Sequence, residues 1–209
     1  MPAQILGAIP KSGFEIAIDQ IGAILLVEIA NQKTIQGSAL PEALNIWKER
    51  LIPYDSADQV LINVHLASAE YGTMTQQDAM GRTLFNIDVD VSGTDVSAKP
   101  GVPAVPGGLD AMNRLHKYLA IIGYIFRTPY YRMLGYPAGT FGGTYVEQLL
   151  IQEPVLKEDT DYTAFGRIVL AVRIHEGTEV PQGVPLQINN TQVFLDLTEK
   201  GFKFVFNNP

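Results

Sequence analysis

A chain of 209 residues, 46% of them hydrophobic and 18% charged, is long enough to bury one sizeable core. Its net charge of −7, with 15 lysines and arginines in total, argues against the clustered basic surface of a nucleic-acid binder. The absence of cysteine excludes disulfides, thiolate nucleophiles and cysteine metal sites.

The opening stretch MPAQILGAIPKSG has neither the positive start nor the long apolar run of a secretory signal. The most apolar segment, IGAILLVEIA (21–30), is broken by Glu28 and is too short to span a bilayer. A soluble protein kept without export is the expectation. Phe14, Ile18, Ile21, Leu25 and Ile29 recur at helical spacing, which predicts a helix over 14–32 capped by Ser12. A second, shorter helix is predicted over 41–49, with Pro41 in its first turn.

After Pro53 the period changes from helical to alternating. Val60, Ile62, Val64 and Leu66 predict a strand over 60–67, and the polar, glycine-punctuated segment 68–82 reads as a connection. TLFNIDVDVSG (83–93) alternates again, with Phe85, Ile87, Val89 and Val91 on one face and Asn86, Asp88 and Asp90 on the other. Residues 92–108, rich in glycine, proline and small side chains, read as an exposed, flexible loop. Met112, Leu115, Leu119, Ile122 and Phe126 then mark a long helix over 109–134, with Asp110 as a possible cap and Pro129 as a stop or kink. A loop over 136–144 leads to strands over 145–154 and 162–176. A last hairpin spans 191–206, with Gly201 suited to its tight turn. The order predicts a single α+β domain over 1–209. A largely antiparallel sheet is packed by the long helix and the N-terminal helix, and a C-terminal β-hairpin follows.

Little in this chain has the pattern of a catalytic centre. Asp88 and Asp90, two apart on a strand, point the same way and suit a hard cation, but no third acid partners them in sequence. Alternation alone accounts for them as the water side of a half-buried sheet. His65, His116 and His175 have no metal-ligand spacing, and no nucleophile elbow surrounds any serine. GTFGGT (139–144) runs from helix into strand, the reverse of a phosphate cradle. Neither an enzyme nor a cofactor or metal site is expected. Tyr130, Tyr131 and Tyr136 form a candidate packing corner or protein interface. Unsatisfied strand edges call for cover, charge or a partner chain, and a homo-oligomer meets that need.

The succession NVHLASAEYG, RTLFNIDVDVSG, DAMNRLHKYLAIIGYIFRTPYYRMLG, YVEQLLIQEP and FGRIVLAVRIHE resembles the layout of phage tail terminator proteins. The cap proteins of contractile injection systems look similar in the same region. The likeness covers roughly residues 60–176 and rests on order and pattern. It implies a structural virion protein of the tail or neck, assembled in the host cytoplasm as a homohexameric ring. Such a ring caps the tail tube, ends its polymerisation and forms the head–tail joining surface. Its implied partners are itself, the tail tube protein and head–tail connector or neck proteins, with DNA passing through unbound and no membrane involved. On that reading Asn86, Asp88 and Asp90 face the lumen, where like charge keeps phosphates off within a Debye length of about 8 Å. Another neck or baseplate component, a carbohydrate- or peptide-binding module using Tyr130–Tyr136, and a metal-dependent hydrolase using Asp88 and Asp90 are the competing readings.

Overall fold

The computed structural model describes residues 11–37, 40, 44–50, 60–70, 80–95, 97, 104–136, 141–157, 161–175, 192–198 and 201–207. Helix α1 (Gly13–Gln36) opens the fold. The Glu15 carboxylate accepts hydrogen bonds from the backbone N–H of Ser12 (2.7 Å) and from its hydroxyl (2.9 Å), which anchors the first turn. The strands β1 (Leu44–Lys48), β2 (Val60–Glu70) and β3 (Met80–Thr94) follow, then helix α2 (Gly107–Arg127). A 3₁₀ turn, Pro129–Tyr131, precedes β4 (Phe141–Ile151), β5 (Val155–Lys157) and β6 (Asp161–His175).

The sheet order is β1-β2-β3-β6-β4, and β5 pairs with β6 beyond the end of β4, continuing that edge. All pairings are antiparallel except β1 with β2. The fold is thus the α+β class that the element order predicts. Alternation sends Val60, Ile62 and Val64 of β2, Phe85, Ile87, Val89 and Val91 of β3, and Ile168, Leu170, Val172 and Ile174 of β6 to one face. There they meet Ile21, Leu25 and Ile29 of α1 and Leu115, Tyr118, Leu119, Ile122 and Phe126 of α2 in one buried cluster. Each large side chain removed from water in this way contributes about 1.5–3 kcal/mol. The two helices share this face, and the opposite face of the sheet carries no helix among the described residues.

Several sequence expectations need correction. Residues 44–48 form an edge strand where a helix over 41–49 is predicted, running parallel to β2 from Leu44 opposite Val60 to Lys48 opposite Val64. A helix of nine residues gains little against its nucleation cost, whereas β1 satisfies the free edge of β2. Trp47 stays 46% exposed with the Arg50 guanidinium 4.8 Å over its ring. Secondly, the connection over 68–82 is shorter than predicted, because β2 reaches Glu70 and β3 starts at Met80.

The ends of the predicted loop over 92–108 also belong to regular structure, as β3 extends to Thr94 and α2 begins at Gly107. The fourth correction concerns the cap of α2. The Asp95 carboxylate, beyond the end of β3, accepts from the Gly107 N–H at 2.5 Å, while Asp110 pairs with Arg114 one turn on at 3.0 Å. Pro129 does end the helix, at the Thr128 C-cap.

By its internal contacts the chain divides into residues 11–177 and a second unit of 1–10 with 178–209. Within the second unit β7 (Gln192–Thr198) pairs antiparallel with β8 (Gly201–Asn207). No helix among the described residues is long and apolar enough to cross a membrane.

An ion-pair clasp joins α1 to the β1 edge. Asp19 accepts from Lys11 (2.8 Å) and from Lys48, whose stem also lies against Gly22 of α1. Lys11 and Lys48 hold the Asp19 carboxyl down at about 2 against its ordinary 3.8. A depressed folded-state pKa gives stability that is present above about pH 4 and lost as pH falls towards 2. Asp19 is 41% exposed, so solvent screening keeps the contribution small. The melting-temperature gap between the wild type and Asp19→Asn is therefore expected to be present near pH 6, to close between about pH 4 and 2, and to shrink in high salt. A gap independent of pH would sink the assignment.

Candidate functional site

Two regions outside the core carry unusual side chains: the open face of the sheet around β3, and the outer edge formed by β4. The first holds the acidic row. Asn86, Asp88 and Asp90 share the face opposite the helices, in the third of the five strands in sheet order. Asp88 is only 8% exposed, and the Arg167 fork from β6, directly opposite in register, takes both its carboxylate oxygens at 2.6 and 2.8 Å. The hydrogen bond to Asp88 raises the Arg167 pKa further, keeping the guanidinium charged.

His65, opposite Asn86 on β2, completes the cluster. The Asn86 Nδ2 lies 3.2 Å from His65 Nε2, and His65 Nδ1 lies 3.8 Å from Asp88 Oδ2. With the Asn86 amide donating, the imidazole proton resides on Nδ1, on the side of Asp88. Asn63, opposite Asp88, is engaged with the Arg50 backbone, accepting from its N–H at 3.0 Å and donating to its carbonyl at 3.2 Å. The row is therefore less acidic and less wet than its spacing implies, because Arg167 neutralises the Asp88 carboxylate within the chain. Arg167 engages both Asp88 oxygens, and its positive charge beside them opposes a cation there. Among the described residues no group of three or more histidines, aspartates and glutamates is placed to hold a metal.

The three tyrosines separate into two roles. Tyr131 donates its hydroxyl to Glu28 of α1, and that bond, with burial, pushes its pKa up to about 12. Tyr136 packs edge-on against Phe141, with ring centroids 5.3 Å apart. Tyr130 meets Tyr131 at an interplanar angle of 83° but is itself 82% exposed. The three do not form a common flat platform. Tyr131 and Tyr136 tie the turn after α2 to its neighbours, and Tyr130 is left to the surface.

The β4 edge is the feature that residue-by-residue reading of the sequence missed. Its register shifts twice, between Phe141 and Gly143 and between Val146 and Gln148. Bulges of this kind break a flat edge and discourage open-ended pairing. Beyond the second bulge, Leu149, Leu150 and Ile151 are 43%, 41% and 42% exposed in an unbroken run, with Tyr145 exposed upstream. Three consecutive exposed aliphatic residues on a strand point to both of its faces, so neither face is fully covered by the described residues. Leu26, Val27 and Ile35 of α1 and Tyr124 of α2 are also exposed. The signal for the edge was present as LLI in a strand without alternation, yet apolar runs of that length also mark strands buried on both faces. No protein-family model and no curated protein matches the chain.

Proposed function

We propose that this chain is a self-assembling structural subunit, a tail-terminator-like protein that closes into a ring. In that role it caps a tail tube, ends tube growth and presents the surface that joins tail to head. The observation that carries the self-assembly is the unbroken exposed run Leu149–Ile151 on the bulged outer strand of the sheet. Apolar surface of this kind is stabilised by burial against a partner chain. The bulges favour a defined contact over indefinite strand addition, as closed ring symmetry requires. The tail-terminator identity rests on the resemblance in element order over residues 60–176. In this reading the open sheet face with Asn86, Asp88 and Asp90 borders the lumen. A reconstruction that places it on the outer rim overturns that detail.

Mass by light scattering after size exclusion, with negative-stain images of the same fractions, tests the reading. Closed rings are expected, either alone or once purified tail-tube protein is added. The double variant Leu149→Lys/Ile151→Lys is expected to remain folded, since both side chains are surface groups, and to run as a monomer under both conditions. A wild-type monomer indifferent to tube protein, or a double variant that assembles like the wild type, removes the basis for the proposal.

A further inference from the structure

Below the C-terminal end of α2 lies a concavity of about 560 Å³, within the range of small-ligand sites. Phe126, Thr128, Pro129 and the β4 residues Gly142–Val146 contribute to its wall, together with three arginines, Arg127, Arg132 and Arg173. No acidic residue lines it. That is unexpected in a chain of net charge −7.

The partners of the other cations sharpen the point. Lys11, Lys48, Arg82, Arg114 and Arg167 each hold a carboxylate. Lys33, Arg50 and Lys117 also interact with other groups. Among the basic side chains that are described, Arg127, Arg132 and Arg173 are left without an ion-pair partner within the described residues, and all three line the one cavity. Arg173 also stands directly across from Arg82 in the β3–β6 register, a like-charge pairing that costs stability unless the charge is compensated. Glu147 and Glu70 compensate Arg82. On its other side Arg173 faces Gly143, which has no side chain to offer and whose φ of +127° favours glycine.

We propose that this pocket binds a phosphate-bearing anion. Guanidinium forks match phosphate oxygens two at a time, and three of them suit a multiply charged group better than a single carboxylate. The C-terminal end of α2 carries about half a negative charge, which opposes an anion, and Arg127 in its last turn offsets it. The Thr128 and Thr144 hydroxyls already donate to the Ile125 and Tyr131 carbonyls, so the donors to the anion are the arginines.

Calorimetric titration of the full chain with inorganic tripolyphosphate tests this, with a single-stranded oligothymidylate as the second phosphate source and hexaglutamate as the competing anion class. Saturable tripolyphosphate binding is expected, weakened about tenfold for each of Arg132→Gln and Arg173→Gln, the scale of one charge-assisted hydrogen bond. Arg50→Gln, outside the pocket, is expected to leave it unchanged. Stronger binding of the oligothymidylate assigns the phosphates to a nucleic-acid backbone; stronger binding of tripolyphosphate assigns them to a small molecule. Tighter binding of hexaglutamate, or equal loss in Arg50→Gln, overturns the proposal. On the wild type alone, phenylglyoxal modification read by mass spectrometry gives an independent check. Tripolyphosphate should shield Arg127, Arg132 and Arg173 over Arg50, and uniform modification also overturns it.

Discussion

Gly93→Val is expected to lower the melting temperature by roughly 6–12 °C, the largest single-residue effect in the sheet–helix interface. A Cβ on Gly93 would lie 2.4 Å from the Ala111 backbone nitrogen, 2.4 Å from the Gly107 carbonyl oxygen and 2.9 Å from the Ala111 Cα. These are backbone atoms of the first turn of α2, so no side-chain rotation relieves the clash. The helix must lift from β3, loosening the Asp95 bond to the Gly107 N–H and the packing of Ala111, which is fully buried. Overpacking against backbone costs about 3 kcal/mol or more, and a domain of this size loses about 2–4 °C per kcal/mol. Gly123 of α2 supplies the control. A Cβ there meets nothing within 4 Å, so Gly123→Ala should be neutral or raise the melting temperature through helix propensity of up to about 1 kcal/mol. Melting of Gly93→Val within about 2 °C of the wild type would show that α2 is not seated on β3 at this glycine.

The same glycine marks where sequence pattern stops being informative. Strands β2, β3 and β6 were legible because Val60 to Val64, Phe85 to Val91 and Ile168 to Ile174 alternate, and only one face of the sheet is covered by helices. Helix α2 was legible because Leu115, Leu119, Ile122 and Phe126 keep one apolar stripe. Gly93, by contrast, looks like any loop glycine until the helix is placed on it. Strand β1 escapes local pattern because Leu44–Lys48 owes its conformation to the free edge of β2, whose paired residues lie sixteen positions on. Asp95 caps a helix whose first residue is twelve positions on, outside the reach of local capping patterns. The three pocket arginines come from α2, from the turn after it and from β6, and only the tertiary fold shows that they line one pocket and have no carboxylate partner among the described residues. Asp88 looks solvent-facing in the sequence for a related reason. Alternation gives the face of a strand, while the neighbour across the ladder determines whether a charge on that face is wet or paired.

Arg167→Met is the variant that tests that pairing, and it is expected to cost about 2–3 kcal/mol. It would leave the Asp88 carboxylate, 8% exposed, without the fork that satisfies both its oxygens. Breaking a fully buried pair costs about 3–5 kcal/mol; the Arg167 side chain is 32% exposed, so water reaches the site and the cost falls to the bottom of that range or below it. The reverse change, Asp88→Asn, should cost about 1 kcal/mol, because a freed Arg167 head can turn to solvent while a freed Asp88 cannot. The double variant is expected to be more stable than Arg167→Met alone, with a coupling of about 1–2 kcal/mol in denaturant unfolding. Additive losses would mean that the pair is a surface contact of no energetic weight. Asp88 would then be available as a free negative charge on the open face, and the row Asn86–Asp88–Asp90 would recover the full acidity that its spacing suggests. A measured coupling instead means that Arg167 cancels the Asp88 charge within the row, and any repulsion of anions from this face must be correspondingly weak.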